Sequence, residues 1–205
     1  MLVTEIKRLD NKKYCLYLDY EPYSIVYPSD IRRMKLKQGM DADPEVMDEF
    51  SREYLRRRAI NKAVNSLKYG DRSAFQIRQK LKDSYYNDDI TEYVIDKLSE
   101  LSYIDDYRFA ISYINKNISR KSISVIRYEL STKGISRELA DKAFEEVDVA
   151  DTKEILLRVL SKKYTVDYCV SHRDKVLGYF LRKGYDFSEI TAAICDFTEN
   201  YADYI

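Results

Sequence analysis

The sequence predicts a mainly α fold: tandem three-helix repeats forming an elongated, curved array, with a small β-rich lobe at the N-terminus. Three observations carry this. Apolar residues recur at helical spacing almost without interruption from Glu45 onward. Glycine and proline are scarce, at 5 and 3 in 205 residues, which disfavours a loop-rich or all-β body. A pattern of helix caps and apolar positions also returns three times along the chain.

The first forty residues differ from the rest. Leu2 to Leu9 alternates apolar and polar positions, Asp10-Asn11 reads as a turn, and Tyr14–Leu18 and Tyr23–Val26 are further strands. Pro28-Ser29-Asp30 starts a short helix through Met34, and Lys37-Gln38-Gly39-Met40 is its expected end, with Gly39 left-handed. Three short strands are marginal alone, so this lobe, residues 1–44, is expected to lean on the helices or on a partner. A linking helix, 45–56, follows. Tyr69-Gly70-Asp71 breaks the next run, and Ser73 with Gln76 fits a capping box.

The repeat is the sharpest feature. Asn87, Ser136 and Asp186 fit as helix caps, 49 and 50 residues apart, each preceded by Tyr86, Ile135 or Tyr185. Seven residues after each cap stand Val94, Ala143 and Ala193; eleven after stand Leu98, Val147 and Phe197. Six before stand Leu81, Leu130 and Phe180; ten before stand Ile77, Ile126 and Val176. The plan of each unit is a leading helix, a second helix, a short loop and a capped third. The units are expected at 57–103, 104–148 and 149–205, sharing a core because none can bury an apolar face alone. Glu189 stands where Ile90 and Leu139 do, so the last helix is expected to be rotated or more exposed. Leu101–Ala110 joins the first unit to the second, with Asp105 and Asp106 positioned to cap the helix carrying Phe109, Ala110, Tyr113 and Ile114.

Composition narrows the functional classes. The net charge of 0 argues against nucleic acid as the sole partner. Cys15, Cys169 and Cys195 are widely spaced and accompanied by a single histidine, His172, so no disulfide framework or zinc spacing emerges. No phosphate-cradling glycine loop, metal-binding His pair or base beside a nucleophile is present, and capping explains Asp105-Asp106 more simply than a metal. No enzyme activity, cofactor or metal is expected. No apolar run is long enough to cross a membrane, and a cytoplasmic monomer is expected.

Charge is less even locally than in total. From Arg52 to Lys82 only Glu53 and Asp71 oppose many basic residues, and from Lys116 to Arg137 only Glu129 does. Two basic stripes suit a phosphate backbone or an acidic protein groove, or are simply solvated helix faces. Arg56-Arg57-Arg58 is the densest cluster, but three adjacent helical residues cannot all face one ligand. Tyr85-Tyr86, Tyr103 and Tyr107 are placed to fill seams between units, or to stack bases.

Three segments also resemble the RecX family of bacterial recombination regulators. Arg72-Ser73-Ala74-Phe75-Gln76-Ile77-Arg78 is similar to its Arg-Ser-x-x-Glu-Leu-Arg element. Tyr103-Ile104-Asp105-Asp106-Tyr107-Arg108-Phe109-Ala110 resembles its Gly-Tyr-(Leu/Ile)-Asp-Asp-x-Arg-Phe-Ala motif, and Glu129-Leu130-Ser131-Thr132-Lys133-Gly134-Ile135 its Glu-Leu-x-x-Lys-Gly-(Ile/Val) element. Ser102 replaces the usual Gly and Gln76 a Glu. The resemblance covers roughly residues 57–200. It implies a non-enzymatic modulator that binds the RecA recombinase filament on single-stranded DNA, restrains its ATPase, strand exchange and extension, and in some members binds DNA directly. Candidate contacts are Arg57, Arg58, Arg72 and Arg78 in one patch and Lys121, Arg127, Lys133 and Arg137 in another. Arg108 either joins them or pairs within the protein. A single working surface requires Arg57, Arg72, Arg127 and Lys133 to line one groove. The competing readings are a general nucleic-acid-binding helical array and a protein-interaction scaffold unrelated to recombination.

Overall fold

Alternating polarity at the start of the chain produces three antiparallel strands, β1 (Val3–Arg8), β2 (Tyr14–Leu18) and β3 (Glu21–Val26), in the order β1-β2-β3. The structure is a computed structural model describing residues 1–147 and 151–199. It divides into two units, the first Met1–Asp106 and the second beginning at Tyr107. The expected boundary between second and third repeats, 148–149, and the end of the third, 200–205, lie outside the described residues.

In the sheet, Leu18 pairs with Glu21 across Asp19 and Tyr20, both left-handed, as a two-residue hairpin turn requires. The Leu2 N–H donates to the Asp19 carboxylate and the Tyr20 N–H to the Thr4 hydroxyl, which hold that turn without glycine. Val3, Leu16, Leu18 and Val26 bury one face of the sheet in the same core as Leu55, Ala59, Leu81, Val94, Leu98 and Ile104. The lobe therefore leans on the first repeat, as expected of three short strands.

The first helix, α1 (Pro28–Arg33), ends earlier than expected. Lys35 is left-handed, and the Leu36 N–H turns back to the Ile31 carbonyl. The Lys37–Met40 stretch, expected to end this helix, instead returns to the sheet: the Gly39 N–H donates to the Val3 carbonyl and the Val3 N–H to the Met40 carbonyl. Gly39 is left-handed as foreseen. Asp43 caps α2 (Pro44–Phe50). Helical backbone then continues through one π turn, Ser51–Leu55, into α3 (Arg56–Leu67). Then come α4 (Ala74–Lys82), under the Ser73–Gln76 capping box, and α5 (Asp88–Glu100), capped by the Asn87 side chain.

In the second unit, α6 (Asp106–Asn117), α7 (Ile123–Thr132) and α8 (Arg137–Glu146) repeat the plan, with Ser136 capping α8. The third repeat contains α9 (Thr152–Lys163), α11 (Arg173–Leu181) and α12 (Phe187–Glu199), with a short additional helix, α10 (Val166–Ser171), interposed. The split was not foreseen. The Thr165 hydroxyl caps α10 by accepting the Tyr168 N–H, and His172, stacked on Tyr168 at 4.4 Å, leaves helical geometry between α10 and α11. In α12, Ile190 and Ile194 are buried and Glu189 is exposed. The apolar stripe has shifted by one residue, and the Glu189 carboxylate accepts the Asp186 N–H, a capping role.

Every apolar position of the repeat, at seven and eleven after the caps and six and ten before, is buried. The turns explain the rest. Tyr85, Gly134 and Gly184 stand two residues before the caps, and all three are left-handed. The next residues, Tyr86, Ile135 and Tyr185, each donate their N–H to the carbonyl of Leu81, Leu130 or Phe180. This closure of a helix C-terminus brings the apolar residue beyond the turn over the one that accepts its bond. Ser102 and Tyr103 repeat it after α5, with the Tyr103 N–H donating to the Leu98 carbonyl.

The junction after α5 differs from expectation in one contact. The Asp106 carboxylate, expected to cap the helix it begins, accepts the Ala74 N–H at 2.8 Å and so satisfies the N-terminus of α4. Within the second unit, the Ser122 N–H donates to the Lys183 carbonyl, tying the third repeat's turn to the start of α7. A Cβ on Gly184 would overlap the Val125 side chain and approach the Ser122 hydroxyl to 2.9 Å, whereas one on Gly39 would meet nothing within 4 Å.

These two glycines separate backbone from packing. Gly39→Ala should lower stability by about 1 kcal/mol, the cost of a left-handed alanine. Gly184→Ala should lower it by about 3 kcal/mol, because steric overlap adds to the same backbone cost. Urea unfolding followed by circular dichroism measures both; equal losses would mean that the close approach to α7 contributes nothing.

Candidate partner-binding surface

Adjacent positions on a helix lie about 100° apart, so the three arginines opening α3 must diverge. Arg56 lies over the Tyr93 ring at 4.2 Å. Arg58 turns to the lobe and grips Asp30 with two nitrogens at 2.6 and 3.0 Å, its guanidinium 4.7 Å from the Tyr27 ring centre. Arg57 is exposed and has no ion pair among the described residues. Of the three, only Arg57 is presented outward and uncommitted.

Asp30 is 2% exposed and lies in the first turn of α1. Burial alone would raise its carboxyl pKa. Hydrogen bonds from Arg58 and the Tyr27 N–H, with the charges of Arg58 and Arg33, outweigh that and hold it below the usual carboxylate range. Arg58 is thus a structural link between lobe and α3, though it stood among the candidate contacts.

Arg78 and Arg127 occupy the same place in successive repeats. Arg78 holds Glu92 through contacts of 2.8, 3.1 and 2.8 Å, joining α4 to α5. Arg127 pairs with Asp141, joining α7 to α8, and lies 4.5 Å from the Phe144 ring centre. The two arginines are 49 residues apart, as are their acids. The third repeat has Leu177 and Thr191 at the corresponding positions and lacks the clamp. The hydrogen bond to Arg78 holds Glu92 below its ordinary pKa, although the pair is substantially exposed. Exposed pairs contribute at most about 1 kcal/mol, so these arginines exchange partners at small cost.

The other candidates divide similarly. Lys121 holds Glu129 at 2.6 and 2.8 Å, and the Tyr113 hydroxyl donates to the same carboxylate at 2.8 Å. Burial and that carboxylate push the Tyr113 hydroxyl up to about 12. Lys133 lies 5.2 Å from the Tyr113 ring centre, and Arg137 approaches Asp141 at 3.8 Å from an exposed position. Arg108 is exposed in the first turn of α6. Arg72 is exposed just before the Ser73 cap and has no ion pair among the described residues. Of the tyrosines, Tyr86 is half-buried in the first core, Tyr85 and Tyr103 are exposed, and Tyr107 donates to Glu146. The acids Glu92 and Asp141 were missed in the sequence, although each stands fourteen residues after its arginine in both repeats.

Among the described residues, no group of three or more His, Cys, Asp or Glu side chains is placed to hold a metal, and no helix is long and apolar enough to cross a membrane. Capped three-helix repeats, two of them closed internally by Arg–acid clamps at equivalent positions and presenting uncommitted guanidiniums, define a helical-repeat protein. Residues 59–98 match the model of the RecX first three-helix domain, and residues 105–143 that of the second. The chain belongs to the RecX family of bacterial recombination regulators. It is 27% identical to Regulatory protein RecX of Clostridium tetani, over 93% of this chain and 90% of that one. It is 29% identical to Regulatory protein RecX of Prosthecochloris aestuarii, over 70% of this chain and 96% of that one. The crystal structure of RecX from Lactobacillus salivarius superposes with a TM-score of 0.57 at 26% identity, covering 69% of this chain and 95% of that one. A second crystal structure of a regulatory protein RecX shares the fold at a TM-score of 0.53 and 23% identity, over 95% of this chain and 98% of that one.

The Asp30–Arg58 link should be visible in acid. An unfolded aspartate titrates near pH 3.9, roughly, and the folded one lower. Its contribution to stability is therefore complete above the unfolded value and lost as pH falls through the folded one. Asp30→Asn should cost about 2–3 kcal/mol at pH 7, because it leaves Arg58 without its counter-charge. It should also flatten the fall in stability between pH 5 and pH 3, roughly the range in which that proton is taken up. Urea midpoints across that range test this; parallel curves for the two proteins would remove Asp30 from the acid response.

Proposed function

We propose that this protein is a non-enzymatic regulator of a RecA-type recombinase. It binds the recombinase filament on single-stranded DNA and restrains its ATP hydrolysis, strand exchange and extension. The observation that carries the reading is the succession of two RecX three-helix domains bearing the Asp105-Asp106-Tyr107-Arg108-Phe109-Ala110 motif. The charge arrangement supports it. Arg57 and Arg72 are exposed without ion pairs among the described residues, and Arg78, Arg127 and Arg137 hold exposed acids that a filament's acidic groups or phosphates can replace. Linked repeats that each make modest contacts gain avidity without one deep pocket. On this reading the protein acts in the cytoplasm as a monomer.

The test is ATP hydrolysis by the cognate recombinase on single-stranded DNA, with this protein titrated at fixed salt. Hydrolysis should fall well below one protein per recombinase subunit. Arg57→Glu combined with Arg72→Glu should require several-fold more protein for the same fall, while leaving the urea midpoint unchanged; Arg58 is unsuitable because its loss opens the Asp30 link. Unchanged hydrolysis with intact binding to bare DNA would favour a general nucleic-acid binder. Unchanged hydrolysis without DNA binding would leave a protein scaffold.

A further inference from the structure

A cleft of about 430 Å³ opens on the first unit where the β1–β2 loop, α3 and α4 converge. Lys13 enters it from the loop, Arg58 and Lys62 from one face of α3, and Lys80 from α4. No aspartate or glutamate lines it. Lys62 and Lys80 have no ion pair among the described residues, and Lys13 reaches Asp10 only at 3.9 Å. The acid belonging to Arg58, Asp30, is buried and not part of the lining. Burial, together with the positive charges of Lys13 and Lys80, holds the Lys62 ammonium below its ordinary pKa. Like charges gathered in a concave, partly dehydrated place repel one another, and an anion relieves that repulsion.

The neutral part of the lining indicates which anion. Tyr69, 88% exposed, stands at the rim with an almost bare ring. Asn61, elsewhere in the lining, offers amide donors and acceptors of the kind that meet the edge of a base. The volume lies in the range of small-molecule sites and exceeds what a phosphate alone needs. Cations for a phosphodiester, a free aromatic face for an unstacked base and an amide within the same cleft are the components of a single-strand contact.

We propose that this cleft is a nucleotide subsite, taking one phosphodiester on Lys62 and Lys80 and the adjoining base of a single strand on Tyr69. An acidic peptide would use the lysines and leave the ring without purpose. The subsite does not rest on the recombinase reading, since it predicts strand binding by the protein alone.

The experiment is fluorescence anisotropy of a labelled oligothymidylate with the full chain over a series of KCl concentrations. The cleft variant is Lys62→Gln combined with Lys80→Gln. The control, Lys97→Gln combined with Lys142→Gln, removes the same charge elsewhere. The cleft variant should bind roughly tenfold more weakly and lower the salt slope by about 0.7, the value for one phosphate of a single strand, while the control stays near the parent. Tyr69→Ala should weaken binding about fivefold, the lower end of a base–aromatic stack, with the slope unchanged. Equal losses in cleft and control variants would overturn the proposal. So would displacement of the strand by polyglutamate together with a neutral Tyr69→Ala, which would make the cleft an unselective cationic patch. Competition by micromolar AMP, lost in the same variants, would uphold the nucleotide site and identify free nucleotide as its source. Failure here with the ATPase effect intact would remove the subsite alone; the reverse would remove only the recombinase reading.

Discussion

Each connection from a second to a third helix depends on one residue held left-handed. At Tyr85, Gly134 and Gly184 the backbone reverses, the next N–H returns to a carbonyl in the last turn of the helix, and an apolar side chain closes over the end. That closure places the following cap, and the cap sets the third helix. The burial of Leu81, Leu130 and Phe180 under Tyr86, Ile135 and Tyr185 follows from it. So does the position of the Arg78–Glu92 and Arg127–Asp141 clamps, each of which joins a second helix to its third. Glycine makes this turn at little cost in two repeats. Tyr85 makes it without glycine, and the surrounding core offsets the steric penalty.

Much of this architecture was legible because it is periodic. Caps, the apolar positions around them and the scarcity of glycine report local rules, and those rules prevailed. The misses come from interactions between residues distant in sequence or from unusual conformations. Asp106 reaches back 32 residues to Ala74, which no local pattern discloses. The left-handed Tyr85 was hidden by its type, since tyrosine is not a residue that marks such a turn. The division of α10 from α11 at His172 rests on ring stacking and a threonine cap, neither of which alters the apolar pattern.

The candidate surface was legible in composition but not in commitment. Counting charges found the stripes; it did not show that Arg58 links the lobe, or that Arg78 and Arg127 close helix pairs. What remains outward and uncommitted is a small set in which Arg57 and Arg72 stand out. Lys13, Lys62 and Lys80 gather in the cleft from three separate elements. Selectivity for a partner therefore depends on which charges the fold leaves over, not on how many the sequence contains.

The contact between Asp106 and Ala74 also bears on synthesis. A growing chain leaves the ribosome N-terminus first, and domains tend to fold as units as they emerge. The sheet cannot finish early, because its apolar face is covered by residues as late as Leu98 and Ile104. The α4 N-terminus acquires its last acceptor only when Asp106 follows. Lobe and first repeat thus reach their native state together, and only once the start of the next repeat's helix is free to fold back onto α4.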